Sequence, residues 1–242
     1  MPNDGHIMCV AECFLDLSFV VDSSGSINYK DPRNWDTTLQ FVANITNNFT
    51  IGPNDVQVAF VVFGTTAEVE WGLTRYQDKT SLINAIMNVP YLDDLHTNLN
   101  DALYLTRTEV YAPGQRIRPN AARATIILTD GEDNRPEVGT PLTTANATAL
   151  KNDGVRLIGV GVSSQVDEDR MLQIVSSPDD LYHVDDFDAL SSLVAKITQQ
   201  ICPATPVPPT GTRSHSFYLL QFYTHQLADL QRSKYPENFP GK

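Results

Sequence analysis

The sequence contains no long apolar run, few basic residues and only three cysteines. No stretch of 18 consecutive apolar residues occurs in the 242 residues, so no membrane-spanning segment is predicted. Lysine and arginine number 17 against 29 for aspartate and glutamate, and this net charge of −12 argues against binding nucleic acid through its phosphates. The first ten residues also lack the basic start and apolar core of a signal peptide. What is present is 41% hydrophobic residues, enough for a core, in a chain whose charge suits an acidic extracellular protein or a cation binder.

The three cysteines, Cys9, Cys13 and Cys202, stand at the two ends of the part of the chain that is rich in apolar segments. We predict one disulfide that closes this part, between Cys202 and either Cys9 or Cys13. The third thiol is then free or paired with another chain. Such a disulfide indicates an oxidising, extracellular compartment, whereas the alternative is three unpaired surface thiols in a cytosolic protein.

Three glycosylation sequons are also typical of a secreted chain, and they begin at Asn44, Asn48 and Asn146. The first two lie in a segment whose apolar residues recur at helical spacing, namely Trp35, Leu39, Val42, Ile45 and Phe49. At about 100° per residue, Asn44 and Asn48 face away from this stripe. A glycan on either asparagine is therefore expected to point to solvent.

Short apolar strands alternate with amphipathic helices from residue 14 to residue 202. Their order is strand, helix, strand, strand, helix, helix, strand, helix, strand, helix, strand, helix. This order predicts an α/β fold with a doubly wound, mostly parallel central sheet and helices on both faces. The segment Ala67–Trp71 is predicted to be its single antiparallel edge strand.

The sequence also predicts where three helices begin or end and how one glycine pair packs. Asp31 and Pro32 are expected to begin the first helix, because proline fits a first helical turn. Two later helices are predicted, one from about Leu99 to Val110 and the last over Phe187–Ile201. The strand segment Gly159-Val160-Gly161 lacks the third glycine of a dinucleotide-binding fingerprint, so it predicts close packing rather than a nucleotide site.

The composition changes at both ends of this pattern. Residues 1–13 are predicted to be an N-terminal extension, residues 14–202 one domain, residues 203–213 a Pro/Thr-rich linker and residues 214–242 a C-terminal tail. The tail contains SFYLLQFYTHQLADLQ, which is too short and too polar to span a membrane. It is expected to be either a partner-binding helix or a disordered end.

Oxygen-bearing side chains stand where predicted strands end or a helix begins. Asp22, Ser24 and Ser26 occupy alternate positions directly after an apolar strand, Asp130 follows another strand, and Thr97 precedes a helix. Ligands of open α/β sheets bind at the carboxyl ends of the strands, so these side chains are expected to meet. Hydroxyls and carboxylates are oxygen ligands of the kind that Mg²⁺ requires. The sequence therefore predicts a metal site, against the alternative of a serine-rich turn with a helix cap.

These three segments resemble the signature of the von Willebrand factor A domain, the family of integrin I domains, matrilins and collagen A domains. FVVDSSGSI matches the family's Asp-x-Ser-x-Ser motif with its preceding strand, and ILTDGE matches the strand and aspartate of the third loop. Thr97 matches the lone threonine of the second loop. Thr106 and Thr108 lie nearby, but Thr97 opens the helix, where the family's threonine belongs. The resemblance covers residues 14–201.

The resemblance implies a metal-ion-dependent adhesion site (MIDAS) for Mg²⁺ or Mn²⁺, with Ca²⁺ as a further candidate. Ser24 and Ser26 would bind the ion directly, Thr97 and Asp130 directly or through water, and Asp22 would orient waters and hydroxyls. The implied function is that of a secreted, non-enzymatic adhesion module of the extracellular matrix. It would bind a Glu or Asp carboxylate of a protein partner, such as collagen or another matrix protein. Disulfide-linked or homo-oligomeric assembly is a further expectation.

Other interpretations stay open at this level. One is a structural matrix protein that binds collagen or mineral through its acidic surface and does not use the metal site. Another is an intracellular relative that works with an ATPase, such as a chelatase subunit or a copine-like protein. A hydrolase with Ser24 or Ser26 as nucleophile would need a base and a G-x-S-x-G elbow, and neither is evident. His96 as a metal ligand would place a nitrogen beside hydroxyl oxygens, a poor match.

Overall fold

The computed structural model describes residues 13–112, 114, 118–131 and 139–202. All of them belong to the first of the two units, Met1–Ala204 and Thr205–Lys242, into which the chain divides. Cys9 and most of the predicted N-terminal extension, together with the predicted linker and tail, lie outside the described residues. The proposed division of the chain into these segments therefore stays a prediction.

The centre of the domain is a six-stranded sheet in the order β3-β2-β1-β4-β5-β6. Its strands are β1 (Leu15–Asp22), β2 (Val56–Phe63), β3 (Ala67–Trp71), β4 (Ala122–Thr129), β5 (Val155–Val162) and β6 (Leu181–Val184). Every neighbouring pair is parallel except β2 with β3, which is antiparallel at the edge. All residues of β1 and β2 are buried, as expected of parallel strands covered on both faces. The predicted fold class is confirmed.

Helices occupy the connections between the strands. They are α1 (Asn34–Asn47), α2 (Lys79–Ile86), α3 (Leu99–Leu105), α4 (Gly139–Asn152), α5 (Glu168–Ile174) and α6 (Val194–Ile201). A π-helical turn, Thr106–Val110, follows α3, and 3-10 turns at Pro178–Asp180 and Phe187–Leu193 flank β6. None of the helices in the described ranges has the length and apolarity that crossing a membrane requires.

Three of the predicted helix limits need correction. Pro32 does not lie in the first turn of α1, because Arg33 is the residue that caps it. Asp31 forms a separate turn there, in which its carbonyl accepts from Asn34 N at 3.1 Å and its carboxylate from Arg33 N at 2.9 Å. The helix predicted from Leu99 becomes a π turn at its end, and the last helix begins as a 3-10 turn.

Two apolar clusters cover the two faces of the sheet. One joins the sheet to α1, α2 and α6, and the other joins it to α3, α4 and α5. Neighbouring residues of β1 alternate between them, since Phe19 belongs to the first cluster and Val20 to the second. The predicted stripe of α1 is buried in the first cluster. Both faces of the doubly wound sheet are therefore covered by helices. The ends of its strands are the parts that the helices leave uncovered.

The glycines of β5 are sites of close packing, as predicted. A Cβ atom on Gly159 would lie 2.8 Å from Met171 Cε and 2.9 Å from Val175 Cγ1. A Cβ atom on Gly161 would lie 3.0 Å from Val166 Cγ1. Helix α5 and the segment before it can therefore approach β5 only because these two positions lack side chains.

The amino end of β1 is held by a disulfide and a buried ion pair. Cys13 and Cys202 form a disulfide, which resolves the choice left open by the sequence. The Asp16 carboxylate is fully buried and accepts from Arg118 Nε at 2.9 Å, while the same guanidinium donates to Leu15 O at 2.6 Å. These contacts close the domain at the edge opposite the carboxyl end of β1, and they leave that carboxyl end for the candidate site.

Candidate metal centre

The site begins where β1 ends. Asp22 is the last residue of the strand and is fully buried, and its Oδ1 accepts from Ser24 N at 2.9 Å. Ser23 N donates to Phe63 O at 2.7 Å, so the chain stays beside β2 for one residue more. Gly25 N then donates to Asp94 O at 2.7 Å. The loop is thus fixed from both sides by backbone hydrogen bonds.

Four of the five predicted site residues come together at this loop. Ser24 Oγ lies 3.0 Å from Ser26 Oγ, and Ser26 Oγ donates to Asp130 Oδ1 at 2.7 Å. The Asp22 carboxylate is placed from the other side, where its Oδ2 accepts from Thr129 Oγ1 at 2.6 Å. Asp22, Ser24 and Asp130 are at most 5% exposed, whereas Ser26 faces solvent. The carboxyl ends of β1 and β4 therefore supply one compact group of oxygen atoms.

Thr97 lies at the same edge of the sheet. It is 4% exposed and directly precedes Asn98, whose side chain caps α3 by accepting from Asp101 N at 3.2 Å. Asn98 N donates to Gly64 O at 2.9 Å, so this loop is held against the end of β2. Thr97 lines a small cavity of about 10 Å³ together with Thr129 and Gly131, the neighbours of Asp130 in sequence. The structure thus places the fifth predicted residue beside the loop that carries Asp130.

The electrostatics of the site are set by two neighbouring carboxyl groups. Burial, and then the negative charge of Asp22, raise the pKa of Asp130 from 3.8 to about 7. The hydrogen bond from Ser26 and the more distant charge of Lys30 act in the opposite direction and are outweighed. In the metal-free molecule near neutral pH, Asp130 is therefore only partly ionised. A cation bound between the two carboxyl groups would favour its ionised form.

The donor atoms fit a small divalent cation. All of them are oxygens, and three hydroxyls accompany only two carboxyl groups. Among the described residues, no group of three or more His, Cys, Asp or Glu side chains is placed to hold a metal. Ser24 Oγ and Ser26 Oγ share a hydrogen bond of 3.0 Å, so the two hydroxyls are close enough together to bind one ion. Oxygen donors of this kind suit a hard divalent cation, and exposed His96 would add a nitrogen that such an ion does not require.

Several supporting residues were not predicted from the sequence. Tyr91 donates from its hydroxyl to Ser24 O at 2.8 Å, and Ser23 Oγ accepts from Leu92 N at 2.8 Å. Thr129 holds Asp22, as described above. These residues are distant in sequence from the loops they support, and only the fold brings them together. The backbone of Asp130 is also held in place, because Ser163 Oγ donates to its carbonyl oxygen at 3.1 Å.

Gly64 is a sequence feature that could have pointed to this support. A Cβ atom there would lie 2.4 Å from Asp94 Cβ and 2.6 Å from Asp94 Oδ2. Asp94 Oδ2 in turn accepts from Thr65 N at 2.9 Å, and Asp94 pairs with Ser24 in an isolated bridge. A glycine directly after a buried strand thus allows the second loop to approach the first.

An open cleft of about 290 Å³ adjoins the site at Ser26 and Asp130. Its other lining residues are mostly polar, and they include Tyr29, Lys30, Asp31, Ser163, Asp185, Asp186 and Asp188. Tyr29 is 86% exposed at this cleft. Acidic side chains outnumber the single lysine, so the surface next to the site carries negative charge.

Comparison with known proteins identifies a family and several relatives. The model of the von Willebrand factor type A domain matches residues 16–196. The chain is 30% identical to the collagen alpha-1(XII) chain of Notophthalmus viridescens over 86% of its own length and 21% of that protein. It is 30% identical to matrilin-1 of Homo sapiens over 81% of its own length and 38% of that protein. The chain thus spans much less than half of each relative.

A solved structure shows a similar domain with a metal in this kind of site. Proximal thread matrix protein 1 from the mussel byssus, in a form with a zinc-occupied MIDAS motif, superposes with a TM-score of 0.73 and 28% identity. The match covers 80% of this chain and 46% of that one. The match of the family model, the sheet topology and the sequence relatives lead to one conclusion: the chain belongs to the von Willebrand factor type A domain family.

Proposed function

We propose that this domain binds Mg²⁺ or Mn²⁺ through Asp22, Ser24, Ser26, Thr97 and Asp130, and through the ion a carboxylate of a matrix protein. The observation that carries the proposal is the contact of Ser26 with both Ser24 and Asp130, beside the second carboxylate of Asp22. A purely structural serine turn with a helix cap would not need two buried carboxyl groups so close that one raises the pKa of the other.

The residues of the chain prepare the site for a cation that attracts acids. The hydroxyls of Ser24 and Ser26 are neutral ligands, and Thr129 holds Asp22 by a 2.6 Å hydrogen bond. With Asp130 hydrogen-bonded to Ser26, the charge that bound Mg²⁺ or Mn²⁺ would supply is only partly neutralised by direct ligands. Such an ion attracts an external carboxylate strongly, because few opposite charges compete for it.

The extracellular matrix is the setting that the relatives support. The sequence relatives include a collagen chain and a matrilin, and the related solved structure is a matrix protein of the mussel byssus. The Cys13–Cys202 disulfide is typical of a chain in an oxidising compartment. We therefore propose a secreted protein of the matrix whose partner offers a Glu or Asp. Whether the chain assembles through disulfides or as a homo-oligomer stays a prediction.

The experiment that tests the proposal is binding to immobilised matrix proteins in Mg²⁺, in Mn²⁺ and in EDTA. We expect binding in either metal, none in EDTA, and none for Asp22→Ala or Asp130→Ala. Asp153→Ala removes an exposed charge just before β5, at the opposite ends of the parallel strands from the site. This variant is the control and should bind as wild type does. Binding that persists unchanged in EDTA would contradict the proposal and favour recognition through the acidic surface alone.

A further inference from the structure

The three sequon asparagines differ in how they use their side-chain amides. Asn48 Nδ2 donates to Asn44 O at 2.8 Å, and Asn146 Nδ2 donates to Asn100 Oδ1 at 3.0 Å. Asn44 uses its Oδ1, which accepts from Gln40 Nε2 at 2.9 Å. Because an N-linked glycan is attached to Nδ2, Asn44 is the sequon residue whose attachment atom makes no hydrogen bond within the described part of the chain.

The surroundings of the three asparagines also favour a glycan on Asn44. Asn44 lines an open groove of about 600 Å³ between α1 and the turn Phe187–Leu193, which provides room for a first sugar. Asn146 instead contacts Asn100, which is 8% exposed, where α4 packs on α3. Asn48 is the C-cap residue of α1, and its amide satisfies a carbonyl near the helix end. A glycan at either of these two positions leaves Nδ2 one hydrogen for its acceptor, but the sugar would have to fit beside that acceptor, at the end of α1 or between α3 and α4.

We propose that the folded, secreted protein carries an N-linked glycan on Asn44, and that Asn48 and Asn146 are unmodified. In this reaction Asn44 Nδ2 loses a proton and bonds to the anomeric carbon of an N-acetylglucosamine. The bond from that carbon to a lipid pyrophosphate donor breaks, and the pyrophosphate leaves with the electron pair. The glycan then lies over the groove, which shares Phe187 and Asp188 with the cleft beside Ser26 and Asp130.

The structure also fixes when this modification takes place. Thr46, the hydroxyl residue of the Asn44 sequon, is fully buried and donates to Val42 O at 2.9 Å. An enzyme that reads this threonine cannot reach it once α1 has packed on the sheet. The glycan is therefore added before the domain folds, so the contacts of the folded state act by selecting among modified chains and not by guiding the enzyme. Chains modified at Asn146 would then have to form the contact between α3 and α4 around a sugar, which disfavours them in the folded product.

The test is secretion of the full chain, expressed behind an added signal peptide, from cultured animal cells, with glycopeptide mapping of both the medium and the cell lysate. We expect one glycan in the wild type and in Asn48→Gln and Asn146→Gln, and none in Asn44→Gln. Peptide N-glycosidase should leave an aspartate at position 44 only. A wild type that carries no glycan in either fraction, or secreted protein modified at position 48 or 146, would overturn the proposal. Mg²⁺ binding by Asn44→Gln should equal that of wild type, so this test is independent of the proposed function.

Discussion

At the scale of single residues, Asp130 is the group whose ionisation decides what the site can bind. It is nearly buried, it faces a second carboxylate, and it accepts its hydrogen bond from a hydroxyl that is itself a proposed ligand. A proton on Asp130 and a cation at the site therefore compete for the same oxygens. This competition would make metal binding at the proposed site dependent on pH in a range where isolated aspartates are already ionised.

We expect the affinity for Mg²⁺ to rise with pH until about pH 7 and then to level off, because the pKa of Asp130 in the metal-free protein is about 7. Below that pH one proton has to leave for each ion bound, so the apparent association constant should fall about tenfold per pH unit. Isothermal titration calorimetry in buffers of different ionisation enthalpy measures both the constant and the proton release. Asp130→Asn should remove the proton release, and proton release unchanged in that variant would contradict the assignment.

The same shift predicts how the stability of the metal-free protein depends on pH. The pKa of Asp130 is raised from 3.8 to about 7 by folding, so the folded state holds a proton that the unfolded state releases. Its contribution to the free energy of unfolding is complete below about pH 4 and is lost as the pH rises to 7. Urea unfolding in EDTA between pH 4 and 8 measures this loss, and Asp130→Asn should show a flatter profile. A wild-type profile as flat as that of the variant would contradict the shift.

Thr129 is a positioning residue that only the structure identifies. Its hydroxyl donates to Asp22 Oδ2 at 2.6 Å, and its Oγ1 also contacts Gly131. Thr129→Val keeps the shape of the side chain and removes the donor, so the Asp22 carboxylate loses one of the hydrogen bonds that orient it, while the one from Ser24 N remains. We expect Mg²⁺ affinity to fall about 10- to 100-fold, the range seen when such outer partners are removed. Thr148→Val, at an exposed position of α4, is the control and should leave the titration unchanged.

At the scale of elements, the strands were predictable and the ends of the helices were not. Strands such as Val56–Phe63 are continuous apolar runs, and burial on both faces requires that pattern. The π turn after α3 has a tertiary cause instead. The turn positions Tyr111 so that its hydroxyl donates to Ala124 O at 2.8 Å inside the core. The spacing of residues in the sequence does not predict this contact. The candidate site shows the same division. Asp22 and Asp130 belong to local motifs and were predictable, whereas Tyr91 contributes through a contact that forms only in the folded domain.

Gly64 offers a test of the contact between the first two loops of the site. A methyl group at position 64 would overlap Asp94, so Gly64→Ala has to move the loop that leads to Thr97. We expect a loss of about 1–3 kcal/mol in the free energy of unfolding, together with weaker Mg²⁺ binding. Gly72→Ala, where nothing lies within 4 Å of the new atom, is the matched control. Its stability should change by less than about 1 kcal/mol, and equal effects of the two substitutions would contradict the argument.

At the scale of the whole molecule, the disulfide joins the two ends of the domain. Cys13 and Cys202 are 189 positions apart in a chain of 242 residues, so their bond restricts most of the unfolded chain. Cys202→Ser should lower the free energy of unfolding by about 2–5 kcal/mol, measured by urea unfolding. The domain should still fold, because α6 is also held by Arg156, which donates to Gln200 O at 3.0 Å and to Asp180 Oδ1. Cys9→Ser is the control, and an equal loss of stability there would contradict the pairing.

The charge distribution of the molecule predicts what accompanies the carboxylate of the partner. Asp185 and Asp188 are exposed on the cleft beside Ser26 and Asp130, in a chain of net charge −12. A partner that brings only acidic groups would be repelled on approach, whereas a Lys or Arg next to its Glu would be attracted into the cleft. A peptide with Glu-Lys should therefore bind in Mg²⁺ more tightly than the same peptide with Glu-Gln, measured by surface plasmon resonance.

Reversal of the cleft charge makes this prediction specific. In Asp185→Lys/Asp188→Lys the preference for the Glu-Lys peptide should disappear, mostly through a slower association rate, and added salt should reduce the difference in wild type. Glu68→Lys/Asp153→Lys changes the net charge by the same amount at exposed positions that do not line the cleft. If both double variants lower binding equally, the net charge of the molecule is responsible. If only the first does, the cleft selects a basic residue beside the carboxylate, and the proposed metal site recognises a pair of opposite charges rather than a lone acid.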